Sequence, residues 1–182
     1  MRLYTIGHST RSLGELVEAL HSFEVRELVD VRTVPRSRHT PQFNAESLGQ
    51  TLPERGVGYR HLAALGGLRH SRKDSINTGW RNASFRGYAD YMQSEEFAVG
   101  IEELLSIGSG ATTAIMCAEA VPWRCHRSMI GDALLVRGVD VWDIFDGSHA
   151  RPEKLTSFAR VDGTRITYPD PGALDIPEAS AT

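Results

Sequence analysis

The 182-residue sequence is short of four things: cysteine, lysine, net charge and any long apolar run. Two cysteines, Cys117 and Cys125, are too few for a disulfide framework and read as free thiols, catalytic groups or ligands. No apolar run approaches the roughly 20 residues that a membrane-spanning helix needs, and the opening MRLYTIGHST lacks a basic segment followed by a long apolar block. A cytoplasmic protein with no membrane partner is therefore expected. The formal net charge of −3 excludes a uniformly basic surface of the kind that holds nucleic acid by general electrostatics. Two lysines stand against eighteen arginines, and arginine is the cation suited to bidentate contact with phosphate or carboxylate. Internal repeats and low-complexity blocks are absent too.

What is present is an alternation of strands and helices, with a hydrophobic content of 41% that fits one globular domain. A strand over 3–6 is followed by a capping box, Ser12 with Glu15, and by helical spacing through Leu13, Leu16, Val17, Leu20 and Phe23. A second strand is predicted over 27–31, a weaker helix over 43–52 with Asn44 as N-cap, and a third strand over 56–62. Residues 66–87 carry no sustained periodicity and read as a lid or binding loop. A helix over 88–107, with a break near Ser94, leads to a fourth strand over 112–116, then a helix from about 123 to 137 that Gly138 stops. A fifth strand over 139–144 and an extended piece over 165–168 complete the pattern. The expectation is an α/β fold, a single three-layer domain over 1–168 with a mainly parallel sheet of about five strands flanked by helices. Residues 169–182, rich in Pro, Ala and Asp, read as a loosely ordered tail.

In such a sheet the segments leaving the carboxyl ends of the strands converge on one rim, where ligands bind. Those segments carry His8, Arg11, Asp30, Arg32, Arg36, Arg38, His61, Cys117, Glu119, Arg124, His126 and Arg127. Their centre is the stretch 111–130, ATTAIMCAEAVPWRCHRSMI, a buried strand that delivers Cys117 to a tight loop and a helix. Arg124, Cys125, His126 and Arg127 are placed in the first helical turn, where unpaired N–H groups and the helix dipole favour an anion.

Each of these residues also has a plainer reading. A strand-end cysteine is often a small hydrophobe, but cations and a helix start beside Cys117 promote a thiolate. Phosphatases and sulfurtransferases use a cysteine, a short loop and an arginine in this manner; here six residues separate Cys117 from Arg124, where the phosphatase pattern has five, so the likeness is an analogy. Asp30 reads more readily as a structural partner for arginine than as a catalytic group, and Glu119 as either. Cys117, Cys125, His126 and His8 are zinc-type donors, yet no paired spacing supports a metal site, and neighbours on a helix point about 100° apart. No metal ligand or cofactor is assigned.

The run of motifs resembles the domain of unknown function 488 family. The residues that carry the resemblance are TIGHSTR at 5–11, LVDVR at 28–32, PRSR at 35–38, Phe43, YRHLAALGG at 59–67 and CAEAVPWRCHR at 117–127. The resemblance implies a single α/β domain and carries over as polar residues His8, Ser9, Arg11, Asp30, Arg32, Arg36, Arg38, His61, Cys117, Glu119, Cys125, His126 and Arg127. It supplies no reaction.

Two functional classes follow. In the first, an enzyme acts on an anionic, phosphate-type substrate such as a nucleotide or a nucleic-acid end. Arg32, Arg36, Arg38, Arg124 and Arg127 hold the anion with the Cys125 and His126 backbone, Cys117 is the nucleophile, and Glu119 or His126 is the acid or base. In the second, the same rim binds nucleotide or nucleic acid without catalysis. A Cys/His metal-binding protein is a third alternative. Oligomeric state is not legible.

Overall fold

Period-two alternation divides the apolar side chains between the two faces of one sheet, and that division decides where each functional residue emerges. The computed structural model describes residues 1–172. The stretch 173–182, most of the expected tail, lies outside the described residues. Strands β1 (Arg2–Gly7), β2 (Glu27–Asp30), β3 (Gly58–His61), β4 (Thr113–Cys117), β5 (Asp140–Asp146) and β6 (His149–Pro152) form one sheet in the order β3-β2-β4-β1-β5-β6. All neighbouring pairs are parallel except β5 with β6.

Tyr4, Ile6, Leu28, Ala114 and Met116 face a core shared with α1 (Leu13–Ser22) and α2 (Ala45–Thr51). Leu3, Val29, Val31 and Ile115 face the opposite core, shared with α3 (Ala83–Tyr91), α4 (Glu95–Gly110) and α5 (Arg127–Leu135). The expected α/β domain with a mostly parallel sheet is therefore present. The chain runs from β1 outward to β2 and β3, then returns to insert β4 between β1 and β2. The carboxyl ends of those three strands consequently meet, with crossovers leaving in different directions, and such a point opens a crevice.

Local signals explain most of the elements. The Ser12–Glu15 capping box starts α1, with the Glu15 N–H donating to Ser12 Oγ at 3.2 Å and the Ser12 N–H to Glu15 Oε2 at 2.6 Å. The break near Ser94 is real: Ser94 caps α4 by accepting from the Phe97 N–H, so the expected single helix over 88–107 is two. Gly138 ends the helical run with φ of 77°, open to glycine without strain.

Several details differ from the sequence reading, among them that α3 starts at Ala83, inside the expected loop 66–87. The helix expected from residue 43 begins at Ala45, because Pro41–Phe43 forms a 3₁₀ turn and Asn44 Oδ1 accepts from the Ser37 N–H rather than from the helix. The helix expected from about 123 likewise splits into a 3₁₀ turn, Pro122–Arg124, and α5. Strand β6 was not legible: its HARP sequence is short and mostly exposed, as an edge strand with a proline is. The piece over 165–168 pairs in a small separate hairpin, β7 (Arg160–Asp162) with β8 (Arg165–Thr167), rather than in the main sheet. The long loop before α3 is fastened: the Asp90 carboxylate accepts from the Arg72 N–H, Ser75 Oγ and Asn77 Nδ2. No described helix is long and apolar enough to cross a membrane.

Candidate active site

Alternation along β4 sends Cys117 to the same face as Ile115, toward α5. The register fixes its height: Cys117 pairs with Gly7, and the His8 and Ser9 N–H groups continue the ladder onto the Cys117 and Ala118 carbonyls at 3.0 and 2.9 Å. The loop after β4 folds across the end of β1 so closely that a β-carbon on Gly7 would lie 1.9 Å from the Glu119 carbonyl oxygen. Ser9 takes a left-handed φ of 45° to make this turn.

The loop then brings back a second thiol and an imidazole. Cys125 has extended backbone, φ −133° and ψ 147°, and His126 turns into α5. The helical first turn expected at 124–127 is thus corrected: Arg124 ends the 3₁₀ turn, Cys125 precedes the helix and His126 is its N-cap. That conformation removes the 100° divergence expected of helical neighbours. Cys117 Sγ, Cys125 Sγ and a His126 ring nitrogen lie within 4.8 Å of one another. His126 Nδ1 is 4.0 Å from Cys117 Sγ and 3.6 Å from Cys125 Sγ, while Nε2 donates to the Val31 carbonyl at 3.0 Å. The Val31 carbonyl at the end of β2 therefore fixes the orientation of the ring, with Nδ1 turned toward both sulfurs.

Charge around the thiols is set by Arg127, the largest fully buried side chain at 1% exposure. Its NH2 donates to the Glu119 carbonyl at 2.6 Å and its NH1 to Thr5 Oγ1 at 3.2 Å, and Nε has no partner among the described residues. The neighbouring Cys117 thiol holds Cys125 well below the usual thiol range; His126 and Arg127 add to this against the effect of burial. The same contact, with burial, pushes Cys117 up. The pair therefore gives up one proton readily and the second with difficulty.

Behind the thiols lies a second network. Asp30, wholly buried, accepts from Arg32 Nε at 2.8 Å and NH2 at 2.5 Å and from the Tyr59 hydroxyl at 2.8 Å. Arg32 NH1 donates to His8 Nε2, NH2 also donates to the Phe43 carbonyl, and the Arg32 carbonyl accepts from His61 Nε2 at 2.7 Å. His8 donates from Nδ1 to the Ser9 carbonyl and stacks on Phe43; burial, then the Arg32 and Arg127 charges, lower its pKa.

The cleft above the thiols has a volume of about 390 Å³. Of the residues expected in the site, Arg32, Cys117, Glu119, Arg124, Cys125 and His126 line it. His8, Ser9, Asp30 and Arg127 stand behind it as scaffold. Arg11 spends its guanidinium on the Gly7 and Phe145 carbonyls. Arg36 and Arg38 are exposed and His61 braces Arg32, and none of the three lines the cleft. Its apolar walls are Val34, Leu68, Phe85 and Met129, of which the sequence reading missed Val34, Leu68 and Met129. It also missed Gly67, against whose absent side chain His126 packs, although the glycine pair in LAALGG was a signal of close backbone approach.

The arrangement offers two chemistries. An imidazole held by a third group beside a thiol can activate it as a nucleophile. Two thiolates and an imidazole can also hold a soft divalent cation such as zinc with its fourth position open to the cleft; a tetrahedron of this kind sets sulfur–nitrogen separations of about 3.6 Å and sulfur–sulfur separations of about 3.8 Å. Against known proteins, a family model described as "Domain of unknown function DUF488" matches residues 12–134, more than half of the chain. No curated protein and no solved structure matches.

Proposed function

Since the chain belongs to the DUF488 family, whose description assigns no reaction, we propose its function from the site: an enzyme that uses Cys117 as nucleophile on an anionic substrate held in the cleft. The observation that carries this reading is the His126 ring, fixed by the Val31 carbonyl with its free nitrogen toward Cys117 and Cys125. Cys117 is the half-exposed sulfur of the two, and moving the shared proton onto Cys125 or His126 leaves the thiolate where a substrate meets it. Buried Arg127 favours this thiolate, against the neighbouring sulfur and the burial that push Cys117 up. Arg124, exposed at the wall, is the cation free to meet the negative charge of a substrate of phosphate or carboxylate type, and Glu119 stands beside it as acid or base. The apolar walls receive the rest of the molecule, a nucleobase among the candidates.

Alkylation at pH 6 tests the reading directly. The thiol pair, which ionises once readily, is expected to react with iodoacetamide roughly tenfold or more faster than free cysteine at that pH, with the adduct on Cys117, the more exposed of the two. Turnover of a panel of phosphoesters and thioesters is expected to vanish in Cys117→Ser and to fall in His126→Ala. An alkylation rate like that of free cysteine, with activity intact in Cys117→Ser, rejects the assignment.

The three-donor geometry favours a second reading, a zinc-type cation bound by Cys117, Cys125 and His126. Titration with cobalt would then give a thiolate-to-cobalt absorption band that Cys125→Ser loses. Elemental analysis of protein from metal-replete cells showing no metal would exclude a tight site.

A further inference from the structure

A single nucleophile does not need a second thiol beside it, and the chain's two cysteines are brought together from different elements. Cys117 is set by the ladder of β4, and Cys125 by the extended residue before α5. Neither is in a disulfide, both line the cleft, and their sulfurs lie within 4.8 Å. One is half-exposed and the other is 4% exposed. A disulfide needs sulfurs about 2.05 Å apart, and rotation about one Cα–Cβ bond moves a sulfur by about 3 Å, a displacement of the size of the gap. Both sulfurs border the cleft, and Cys117 is the more exposed residue, the one a molecule in the cleft meets first.

The arginines narrow the choice among anionic substrates. A transferring phosphoryl group is best held by converging cations, whereas Arg32, Arg11 and Arg127 are committed to Asp30 and to backbone and hydroxyl oxygens within the protein. Among the described residues Arg124 is the one of the four left for substrate, and it favours a carboxylate-bearing molecule that meets it on the side away from Glu119. The remaining walls, Val34, Leu68, Phe85 and Met129, suit a neutral, polarisable centre such as sulfur.

We propose that the site is a thiol–disulfide exchange centre for small disulfides that carry an acidic group, with Cys117 as the attacking thiol and Cys125 as the resolving one. This rests on the reading of Cys117 as nucleophile and names its substrate class. His126 Nδ1 takes the Cys117 proton. The Cys117 thiolate attacks one sulfur of R–S–S–R, the sulfur–sulfur bond breaks, and the leaving thiolate takes the bonding pair and the proton from His126. Cys125, the readily ionised sulfur of the pair, then attacks the Cys117 sulfur of the mixed disulfide as its thiolate; that sulfur–sulfur bond breaks and the second RS− leaves with the bonding pair, to be protonated in solvent according to pH. Two protein thiols are oxidised to one disulfide, and one external disulfide is reduced to two thiols.

The test uses the full chain, treated with chelator, and oxidised glutathione as probe. The wild type is expected to lose the mass of two hydrogens, to lose both alkylatable thiols and to release two glutathione thiols per chain. Cys125→Ser is expected to stop at a stable glutathionyl adduct on Cys117, with one thiol released, and Cys125→Ala to do the same if it folds as the wild type does by circular dichroism. Cystamine, a cationic disulfide, is expected to react roughly tenfold more slowly than oxidised glutathione, and Arg124→Glu to reverse that order. A wild type that accumulates the adduct without the internal disulfide overturns the proposal. Rapid alkylation of Cys117 at pH 6 in that same protein would leave the nucleophile reading standing, and slow alkylation would remove both. Equal rates for the two probes overturn the acidic-substrate part.

Discussion

A β-carbon placed on Gly67 would stand 2.4 Å from Nδ1 of His126, the nitrogen that faces both thiols. The glycine in the loop after β3 is therefore the wall that sets the ring's position, together with the Val31 carbonyl on its other nitrogen and the Tyr88 ring 5.0 Å away. Gly67→Ala should move the ring rather than unfold the domain, since the clash is with a side chain at the edge of a cleft. The expected cost is about 1–3 kcal/mol in denaturant unfolding. Alkylation of Cys117 at pH 6 should fall severalfold, and unchanged alkylation would show that the imidazole does not govern the thiol.

The thiol pair makes stability depend on pH in a direction that can be worked out. Cys125 is held below its unfolded value of about 8.5, so its contribution is complete above that value and is lost as pH falls toward the folded one. Cys117 is raised, so its contribution is present below about 8.5 and is lost as pH rises above it. The two effects have opposite slopes and meet near the free-thiol value. The stability difference between wild type and Cys125→Ser should therefore grow as pH rises from acid toward about 8.5 and shrink beyond it. Chemical denaturation of both proteins across that range, under reducing conditions, checks the shape; a flat difference would mean that the sulfurs do not share a proton.

The sequence carried more of the fold than of the site, for a physical reason. Strands and helices follow from periodicity and caps, which are local, so Ser12 with Glu15, Ser94 and Gly138 each marked a boundary that exists. The rim was legible because α/β topology sends every strand's carboxyl end there. What could not be read was how each arginine is spent. Arg11 and Arg32 stand in motifs that look like anion ligands, yet their partners are carbonyls and carboxylates set by long-range packing, and Arg36 and Arg38 face away. The conformation of Cys125 was equally hidden, since Pro122 opens a 3₁₀ turn as readily as a helix. The buried Thr5–Asp143 hydrogen bond behind Arg127 left a trace, an aspartate inside the apolar run of β5, that went unread.

Arg127 offers a test of charge apart from packing. It is buried beside both thiols and, among the described residues, bonded to a hydroxyl and a carbonyl, so its charge is shared between the sulfurs and the buried Asp143 and Glu153 carboxyls that it also faces. Arg127→Met keeps the apolar stem and removes the cation, whereas Arg127→Lys keeps a cation without the fork. The midpoint for thiol alkylation against pH should rise in both variants, and further in Met. Equal midpoints in wild type and Met would place the guanidinium outside the chemistry.

Asp30 and Arg32 give the last prediction, one of stability. Asp30 is wholly buried and accepts two bonds from the Arg32 guanidinium, one from the Arg32 backbone N–H and one from Tyr59, and Arg32 is 7% exposed with its guanidinium also donating to His8 and Phe43. Removing the carboxylate strands a cation in a dry environment, a loss of about 3–5 kcal/mol. Asp30→Asn should therefore destabilise far more than Tyr59→Phe, which removes one hydrogen bond worth about 0.5–1.5 kcal/mol. Because Arg32 also hands its carbonyl to His61 and its NH1 to His8, the damage should extend to the loop that carries Val34 and to the cleft wall there. Equilibrium unfolding in urea ranks the two variants. An Asp30→Asn cost no larger than that of Tyr59→Phe would show that the Arg32 charge finds water in the folded protein, and that the network is a surface pair rather than the buried brace of the site.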